Sequence, residues 1–447
     1  MMLRLRDSQA VLWEELLPPE ARLLSEELAA VDALLDDDKF LEPFVARFAC
    51  SIGRPTVPIE SYLRLMYLKH RHGIGYETLV KEVADSLSWR RFCRVRLEGR
   101  VPHSTTLLKL TSRFGTEIID ELNSAVLAEA VQRKLLRSRR LRVDTTVMEA
   151  DVRYPTDSGL CAHAVSRITR AVRAIRSAGL ARKQRFDNRT RTVGKIVRNI
   201  SHALGRPGSR PVVDRLTGEM HKLASAVARQ AGRVLERAKR SRSPKKRLAS
   251  GVLERLKDEL ARASRAIAQT ARRLAGETAI PDRLVSLCDL DARPIRRGKP
   301  QKPTEFGYKV SVGDTAEGFI VAHQVYEGNP PDAQTLGAAV ASAKATGMKV
   351  KTVFADRAYG NEVGDQALEE EGITDKVIPR VGRADPIQGT RAWRRRYRWR
   401  CGCEGRISQL KRGYGLGRTR LKGHSGAKIW AGYGVLSSNL NRIAALS

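Results

Sequence analysis

The sequence predicts a mixed α/β domain that follows an all-helical N-terminal domain and is interrupted by a basic helical insertion. Three observations support this prediction. Apolar residues recur at helical spacing before residue 137, alternating strand patterns begin at residue 141, and residues 161–280 have the pattern of long helices rich in Ala and Arg. A chain of 447 residues is long enough for two or three domains. We therefore assign residues 1–136 to the N-terminal domain and 137–447 to the α/β domain, with 161–280 as its insertion.

Turn residues divide the N-terminal domain into short helices. A helix pair broken at Pro18-Pro19 is predicted within residues 8–38. Further helices are predicted at Ile59–His70, Gly75–Val95, Ser104–Phe114 with a serine cap, and Glu117–Leu135. Lys109 and Arg113 fall on the exposed side of the third of these, which is compatible with the second helix of a DNA-binding helix-turn-helix module. Any small helical bundle would show a similar pattern, so both interpretations stay open at this point.

The first strand pattern places an acid in the middle of a strand. In residues 141–148, a set of apolar or β-branched side chains (Leu141, Val143, Thr145 and Val147) alternates with a second set (Arg142, Asp144, Thr146 and Met148). This alternation is typical of a strand, and Asp144 lies near its centre. Asp is depleted in strand interiors, so this one has either a function or an exposed position on the sheet. Asp151 is a second candidate, but it lies beyond the alternating residues. The pattern therefore favours Asp144.

The insertion has the composition of a basic helical hairpin or small bundle. Helices are predicted at Val165–Leu180 and His221–Arg240, with breaks at Gly205–Arg210 and Ser241–Pro244. Residues 161–280 contain 30 Lys and Arg against 8 Asp and Glu. The helices can turn basic faces outward, and their coiled-coil-like spacing can equally serve dimerisation.

The elements after the insertion complete the α/β domain. They are a hairpin (Gly307–Val312 and Gly318–Val325 with a turn at Gly313-Asp314), a helix (Asp332–Thr346), a strand (Val350–Ala355), a helix (Glu362–Glu371), a strand (Lys376–Ile378) and a final helix (Ala427–Leu446). The apolar run before residue 356 suits a central strand, and Asp356 follows it directly. Open α/β sheets bind ligands at the carboxyl ends of their strands, so Asp356 is a candidate site residue.

The stretch Tyr397–Lys411 combines one acid with an aromatic ring and two cations. On one continuous helix, Tyr397, Arg400, Glu404 and Lys411 would fall within an arc of about 60°. A single acid among such groups is typical of a surface that meets a polyanion, although an Arg-rich helix can also be a solvated face.

Glycines and cysteines within this stretch raise two questions. Gly402 and Gly405 flank Glu404, and each interior Gly disfavours a helix by about 1 kcal/mol, so the helix can start late or be ordered by DNA. Cys401 and Cys403 are a weak hint of zinc. The six cysteines form no CxxC pair and no disulfide spacing, and we expect reduced thiols.

The charge distribution indicates a polyanionic partner. The formal net charge is +33, of which residues 161–280 contribute +22 and residues 376–447 contribute +15, while the rest of the chain carries −4. An excess concentrated in two segments favours nucleic acid over a membrane surface. No stretch has the length of a membrane span and the start lacks an apolar signal core, so we expect a soluble cytoplasmic protein with no membrane partner.

With the insertion set aside, the predicted order is strand, two hairpin strands, helix, strand, helix, strand and helix. This order resembles the ribonuclease H-like fold, and the chain resembles the DDE transposases of bacterial insertion sequences, in which the same order holds an Asp, Asp, Glu triad. One large branch carries a Tyr-x2-Arg-x3-Glu-x6-Lys signature, and Tyr397, Arg400, Glu404 and Lys411 match it at every spacing. The block Asp356–Gly360 is similar to the second-acid block of the family, and the N-terminal helices resemble the DNA-binding domain that precedes it.

The resemblance implies that Asp144, Asp356 and Glu404 are catalytic residues and metal ligands. Three carboxylates suit Mg²⁺ or Mn²⁺, and two ions would be expected to stabilise the attacking and leaving oxygens. The residues expected to bind DNA and its phosphates are Tyr397, Arg400, Lys411, Arg357, Lys109 and Arg113. Three tryptophans near the basic C-terminal segment can stack on an unpaired base or belong to the core: Trp393, Trp399 and Trp430.

The expected partner is double-stranded DNA, both the terminal inverted repeats of the element and its target, in the nucleoid. We also expect a homodimer on DNA. The expected reaction is cleavage at the ends of the insertion sequence and their joining to target DNA. A metal-dependent nuclease without strand transfer and an inactive DNA-binding regulator are the alternatives, and the presence of all three acids argues against the regulator.

Overall fold

The structure is a computed structural model that describes residues 2–6, 18, 23–48, 52–241, 247, 249–296, 302–380, 382 and 386–447. The chain divides into two compact units. One consists of Met1–Asp151 with Gly307–Ser447, and the other of Val152–Phe306. In the described ranges, no helix is both long and apolar enough to cross a lipid bilayer.

Six helices precede the sheet in the described part of the first unit. They are α1 (Glu26–Leu35), α2 (Glu42–Phe48), α3 (Ile59–Arg71), α4 (Tyr76–Asp85), α5 (Leu87–Phe92) and α6 (Ser104–Gln132). The first half of the helix pair predicted within 8–38 lies outside the described residues, apart from position 18. The prediction of one helix over Gly75–Val95 was wrong, because Ser86 has an extended backbone and its hydroxyl accepts the Trp89 N–H to cap α5.

The two predicted helices Ser104–Phe114 and Glu117–Leu135 are the two halves of α6. Gly115 separates them with φ +77°, a conformation that other residues rarely adopt, and it kinks the helix. The predicted serine cap was wrong by one position, since the His103 ring accepts the Thr105 N–H. The side chain before the helix therefore caps it.

The described residues form a seven-stranded mixed sheet. Its strands are β1 (Arg140–Ala150), β2 (Arg293–Arg296), β3 (Thr304–Asp314), β4 (Ile320–Tyr326), β5 (Thr352–Phe354), β6 (Asp375–Val377) and β7 (Arg418–Thr419). The order is β2-β3-β1-β5-β6, with β4 paired to β3 and β7 paired to β1. β3 is antiparallel to β1 and β4, whereas β5 and β6 run parallel to β1. With helices on both faces, this is the predicted ribonuclease H-like arrangement, and the predicted central position of β5 is confirmed.

The second unit is a helical bundle. Its described helices are α7 (Asp157–Ser177), α8 (Thr190–Leu204), α9 (Arg210–Lys239) and α10 (Ser250–Leu274). They bury a core of small and aliphatic side chains, including Val172, Val234 and Leu256. The predicted starts at residues 165 and 221 were wrong, because Thr156 caps α7 earlier and Pro211 occupies the first turn of α9, where proline is tolerated. Residues 152–306 contain 37 Lys and Arg against 13 Asp and Glu.

Five helices of the first unit follow the second unit in the chain. They are α11 (Leu336–Ala345), α12 (Glu362–Glu370), α13 (Arg391–Arg398), α14 (Cys401–Gly413) and α15 (Gly423–Ala444). A 3-10 turn at Asp332–Thr335 precedes α11. The turn predicted at Gly313-Asp314 was wrong, because Asp314 pairs in register with Arg142 and stays in β3. The chain reverses instead before Gly318, which has φ +93°.

Candidate active site

Two of the predicted acids lie at matching positions on neighbouring strands. β1 and β5 are parallel, with Arg142 opposite Phe354. Extending this register by two residues places Asp144 opposite Asp356, and the Asp356 backbone is still extended (φ −79°, ψ 179°). Adjacent strands are about 4.8 Å apart, and alternate residues point to the same face of the sheet. The two aspartates therefore project from adjacent backbone positions onto one face.

The corner between α13 and α14 covers this face. The Arg142 guanidinium lies under the Trp399 ring, 4.4 Å from its centroid, and its Nη1 donates to the Trp399 carbonyl at 3.1 Å. The Trp399 ring also packs edge-to-face on Phe354, with centroids 4.6 Å apart. Asp314 on β3 accepts from Arg142 Nε at 2.9 Å and also from Nη2. These contacts fix the start of α14 over β1 and β5.

Arg400 links the first and third acids. Its Nη2 donates to Glu404 Oε1 at 2.6 Å, and its Nη1 lies 3.8 Å from Asp144 Oδ2. The Asp144 side chain is 12% exposed and also accepts the Thr145 N–H at 2.7 Å, whereas the Glu404 side chain is 63% exposed. Because Glu404 is so exposed, its carboxylate can exchange Arg400 for another cation at little cost in packing.

The prediction of a single helix face over Tyr397–Lys411 was wrong, and the helix that holds Glu404 instead starts late, which is one of the alternatives that the glycines left open. α13 ends at Arg398 and α14 begins at Cys401, and hydrogen bonds to the carbonyl three residues back replace the α-helical pattern at the corner. This tighter turn accompanies the packing of Trp399 on the sheet. Tyr397 therefore belongs to a different helix from Glu404, and the arc of about 60° that a single helix would give does not describe their arrangement.

Gly402 is a position of close approach. A Cβ atom added there would lie 1.9 Å from Nη1 of Arg142, whose guanidinium is bonded to the fully buried Asp314. An added Cβ at Gly405 would meet open space. α14 is formed over both glycines, and only Gly402 is needed for packing.

Arg357 and Tyr397 are two further predicted phosphate-binding residues. Arg357 is exposed in the turn that begins directly after this acid. The Arg400 guanidinium lies 5.5 Å from the Tyr397 ring centroid. Burial raises the pKa of the Tyr397 phenol, Arg400 opposes this, and the Asp356 charge raises it further. Tyr397 therefore lies within electrostatic range of both Arg400 and Asp356.

The remaining predicted cations lie farther from the acids. Lys411 is partly buried on α14, seven residues and about 10 Å along the helix axis from Glu404. Lys109 and Arg113 are exposed on the first half of α6. The structure therefore brings Arg400 to the acids, but it places Lys109 and Arg113 on a separate element.

Sequence reasoning missed a further carboxylate, Asp332, which binds the residue next to Asp144 on β1. Asp332 accepts from the Thr145 hydroxyl at 2.6 Å and forms an ion pair with Lys309 at 2.7 Å. Burial, followed by the charges of Asp144 and Asp332, raises the pKa of the buried Tyr359. Asp332 thus acts on the same phenol as Asp144. Its sequence context, an acid before a helix, looks like an ordinary cap and gave no signal.

Two of the three tryptophans have structural roles. Trp399 holds the α13–α14 corner, and Trp430 is buried with its ring 3.6 Å from the Lys69 ammonium nitrogen. Trp393 stacks on Tyr397, with ring centroids 5.0 Å apart and an interplanar angle of 15°. Only Trp393 is therefore left as a candidate for stacking on a base.

The described residues contain no group of three His, Cys, Asp or Glu side chains close enough to hold a metal ion as they stand. Cys401 is exposed and Cys403 is fully buried, so the two thiols lie in different environments. The donor set of Asp144, Asp356 and Glu404 still fits a hard divalent cation, because carboxylate oxygens are the ligands such ions prefer.

Comparisons with known proteins match two parts of the chain to families. Residues 13–113 match the family described as "Transposase domain (DUF772)", and residues 285–440 match the "Transposase DDE domain". The second match contains Asp356 and Glu404, whereas Asp144 lies outside both.

A Rhizobium meliloti protein described as "Uncharacterized protein ORF8 in nfe locus" is 27% identical over 157 residues, which are 34% of this chain and 74% of that protein. No solved structure matches the chain. A transposase domain near its start and a DDE domain near its end occur in one polypeptide with a ribonuclease H-like sheet. The chain therefore belongs to the DDE transposases of insertion sequences, which are metal-dependent polynucleotidyl transferases and endonucleases.

Proposed function

We propose that this transposase cuts phosphodiester bonds at the ends of its insertion sequence and joins them to target DNA by in-line transfer. Asp144, Asp356 and Glu404 act as its catalytic residues. The observation that supports this most strongly is the β1–β5 register, which puts the two aspartates on one face, together with the Arg400 link to Glu404. The alternative Asp151 is 68% exposed and lies beyond the end of β1.

The three carboxylates would hold Mg²⁺ or Mn²⁺, with two ions as our expectation. Divalent ions bound there would supply charge stabilisation for the attacking and leaving oxygens. For this role Glu404 must exchange its ion pair with Arg400 for a metal ion. The exchange leaves the Arg400 guanidinium available for a DNA phosphate, which it can bind through two parallel N–H donors.

The other predicted phosphate-binding residues of the catalytic domain position the DNA. Arg357 directly follows Asp356, Tyr397 lies beside Arg400, and Lys411 on α14 acts as a point charge. Phosphate contacts of this kind fix the register of the scissile bond without reading sequence.

The two flanking regions bind DNA outside the catalytic centre. In the N-terminal domain, 1–136, Lys109 and Arg113 of α6 contact the terminal inverted repeats. Within the catalytic domain, 137–447, the basic insertion adds contacts to the backbone. Two copies of the chain assemble on the DNA, and the protein acts at the nucleoid in the cytoplasm.

The test is cleavage of a duplex carrying the element's own ends, with Mg²⁺ and with EDTA. Asp356→Ala should abolish metal-dependent cleavage and leave DNA binding within about threefold, because only the catalytic carboxylate is removed. The matched control is Glu369→Ala, an exposed acid on α12, which should cleave normally. Full cleavage by the Asp356 variant would refute the triad.

A second readout separates transposition from simple cutting. Supplying a target plasmid should yield products in which the element's 3′ ends are joined to the plasmid. Cleaved ends without joined products would favour the nuclease alternative.

A further inference from the structure

A cleft in the N-terminal helical region has a cationic lining. Its volume is about 700 Å³, and the cations that line it are Arg4, Arg54, Arg94, Arg96 and Arg100. Hydroxyl groups of Thr56, Ser61 and Thr106 also line it, and among its described lining residues none is Asp or Glu. We call this feature the arginine cleft. Its side-chain polar groups are cations and hydroxyls, a set that favours an anionic ligand.

One wall of the arginine cleft is held in a defined shape. Arg94 has φ +55°, a left-handed conformation that is uncommon outside glycine, and its guanidinium pairs with Asp36 and Glu60. Arg90 Nη2 donates to the carbonyl oxygens of Leu97 and Gly99 at 2.8 and 2.6 Å. Arg90 therefore satisfies backbone acceptors that would otherwise repel an anion. The Arg94 guanidinium is already held in ion pairs with Asp36 and Glu60. The exposed Arg54 and Arg100 are therefore the candidates to bind a ligand in the cleft.

The arginine cleft is continuous with the exposed face of α6. Thr106 and Leu110 line the cleft, and Lys109 and Arg113 are exposed on the same part of this helix. At 100° per residue these four positions fall within an arc of about 100°, before the kink at Gly115. A ligand lying along this side of α6 would therefore meet the cleft as well.

We propose that the arginine cleft binds backbone phosphates of duplex DNA beside α6. The inference rests on the proposed DNA contact of α6 and adds a second, sequence-independent site to it. In helix-turn-helix proteins, phosphate contacts around the recognition helix fix its orientation while the helix reads the bases. Arg54 and Arg100, on two different loops, provide such contacts on the side where α6 begins.

The experiment compares two double variants of the full chain. Arg54→Ala with Arg100→Ala removes two cleft cations, and the control Arg137→Ala with Arg139→Ala removes two exposed arginines that follow the other end of α6. Fluorescence anisotropy measures the binding of a duplex with the element's terminal sequence, and of a scrambled duplex, from 50 to 200 mM salt. Each lost phosphate contact lowers the slope of log K against log salt by about 0.9.

Two lost contacts lower the slope by about 1.8. Raising the salt from 50 to 200 mM should therefore weaken DNA binding by the wild type about tenfold more than DNA binding by the cleft variant. Its affinity should fall to the same extent for both duplexes, because backbone contacts are not sequence-specific. The control should keep the wild-type slope. Equal slopes for the two variants, or a loss confined to the terminal sequence, would overturn the assignment.

Two further measurements test the role of Arg54 and Arg100. Arg54→Lys with Arg100→Lys retains the charge and should restore the salt slope. In the wild-type protein, bound duplex should protect Arg54 and Arg100 from modification by phenylglyoxal, as read by mass spectrometry, and full modification in the complex would refute the site. If the wild type binds neither duplex, the proposed DNA-binding function itself fails.

Discussion

Replacing Gly402 with alanine should destabilise the protein even though alanine is the better helix former. The new Cβ atom would lie 1.9 Å from Nη1 and 2.8 Å from Cζ of Arg142. The guanidinium cannot move aside freely, because its Nε is bonded to Asp314 and its Nη1 to the Trp399 carbonyl. Either α14 shifts away from β1, or Arg142 gives up its partners.

The size of the effect follows from these two responses. Helix propensity alone would favour alanine by about 1 kcal/mol. Overpacking against a buried side chain such as Arg142 costs about 1–3 kcal/mol, and separating a buried ion pair costs about 3–5 kcal/mol because one charge is left unpaired. The net loss is therefore expected to be about 0–2 kcal/mol if α14 moves and about 2–4 kcal/mol if Arg142 leaves Asp314.

Gly405 provides the matched control, because it lies on the same helix and an added Cβ there meets nothing within 4 Å. Gly405→Ala should raise the free energy of unfolding by up to about 1 kcal/mol. Urea unfolding followed by tryptophan fluorescence compares both variants with the wild type. Opposite signs are expected, and a Gly402→Ala protein as stable as Gly405→Ala would show that Arg142 does not constrain α14.

Three further predictions concern other parts of the chain. Burial lowers the pKa of Lys69 well below its usual range, so the unfolded chain binds a proton that the folded protein releases, and the wild type should gain stability as the pH rises toward 10.5. Lys69→Met should flatten this dependence, and parallel pH profiles of the urea midpoints would contradict it. Asp314→Ala should lower the free energy of unfolding by about 3–5 kcal/mol, because it removes the carboxylate that pairs with Arg142. Urea unfolding measures this loss, and a loss below about 1 kcal/mol would mean that water or another acid replaces Asp314. Residues 152–306 can be replaced with a short Asn-Gly turn because Glu149 pairs with Gly307, although this also removes β2 and the first three residues of β3. DNA binding should weaken and its salt slope should become shallower, and an unchanged slope would mean that this unit does not contact DNA.

Local patterns were sufficient for most of the sheet. Alternation predicted β1 with Asp144 inside it, and the apolar run before Asp356 predicted the central β5. Both signals are local, because the pattern of apolar residues within a strand indicates which of its faces are buried. The choice of Asp144 over Asp151 used the same signal, and the register between β1 and β5 is consistent with it.

Long-range contacts explain why the predicted turn at Gly313-Asp314 and the predicted single helix face over Tyr397–Lys411 were wrong. Asp314 looked like a turn residue because Gly-Asp is a turn signal, yet its cross-strand pairing with Arg142, 172 positions away, keeps it in β3. The break between α13 and α14 depends on Trp399 packing against Phe354 and Arg142. No window of sequence around these residues contains their partners, so tertiary packing overrode the local preference.

Two ion pairs at the α13–α14 corner differ in how readily they can exchange. Arg142–Asp314 is buried, with side chains 8% and 0% exposed, so breaking it leaves an uncompensated charge. In Arg400–Glu404 the acid is 63% exposed and the guanidinium 12% exposed, so water or another cation can reach the carboxylate while Arg400 keeps Asp144 at 3.8 Å. The first pair therefore fixes α14 on the sheet, and the second lets Glu404 change partners without moving the helix. α14 is formed over Gly402. Under the proposed function, the step that DNA and metal ions would drive is therefore the release of Glu404 by Arg400, not the folding of α14.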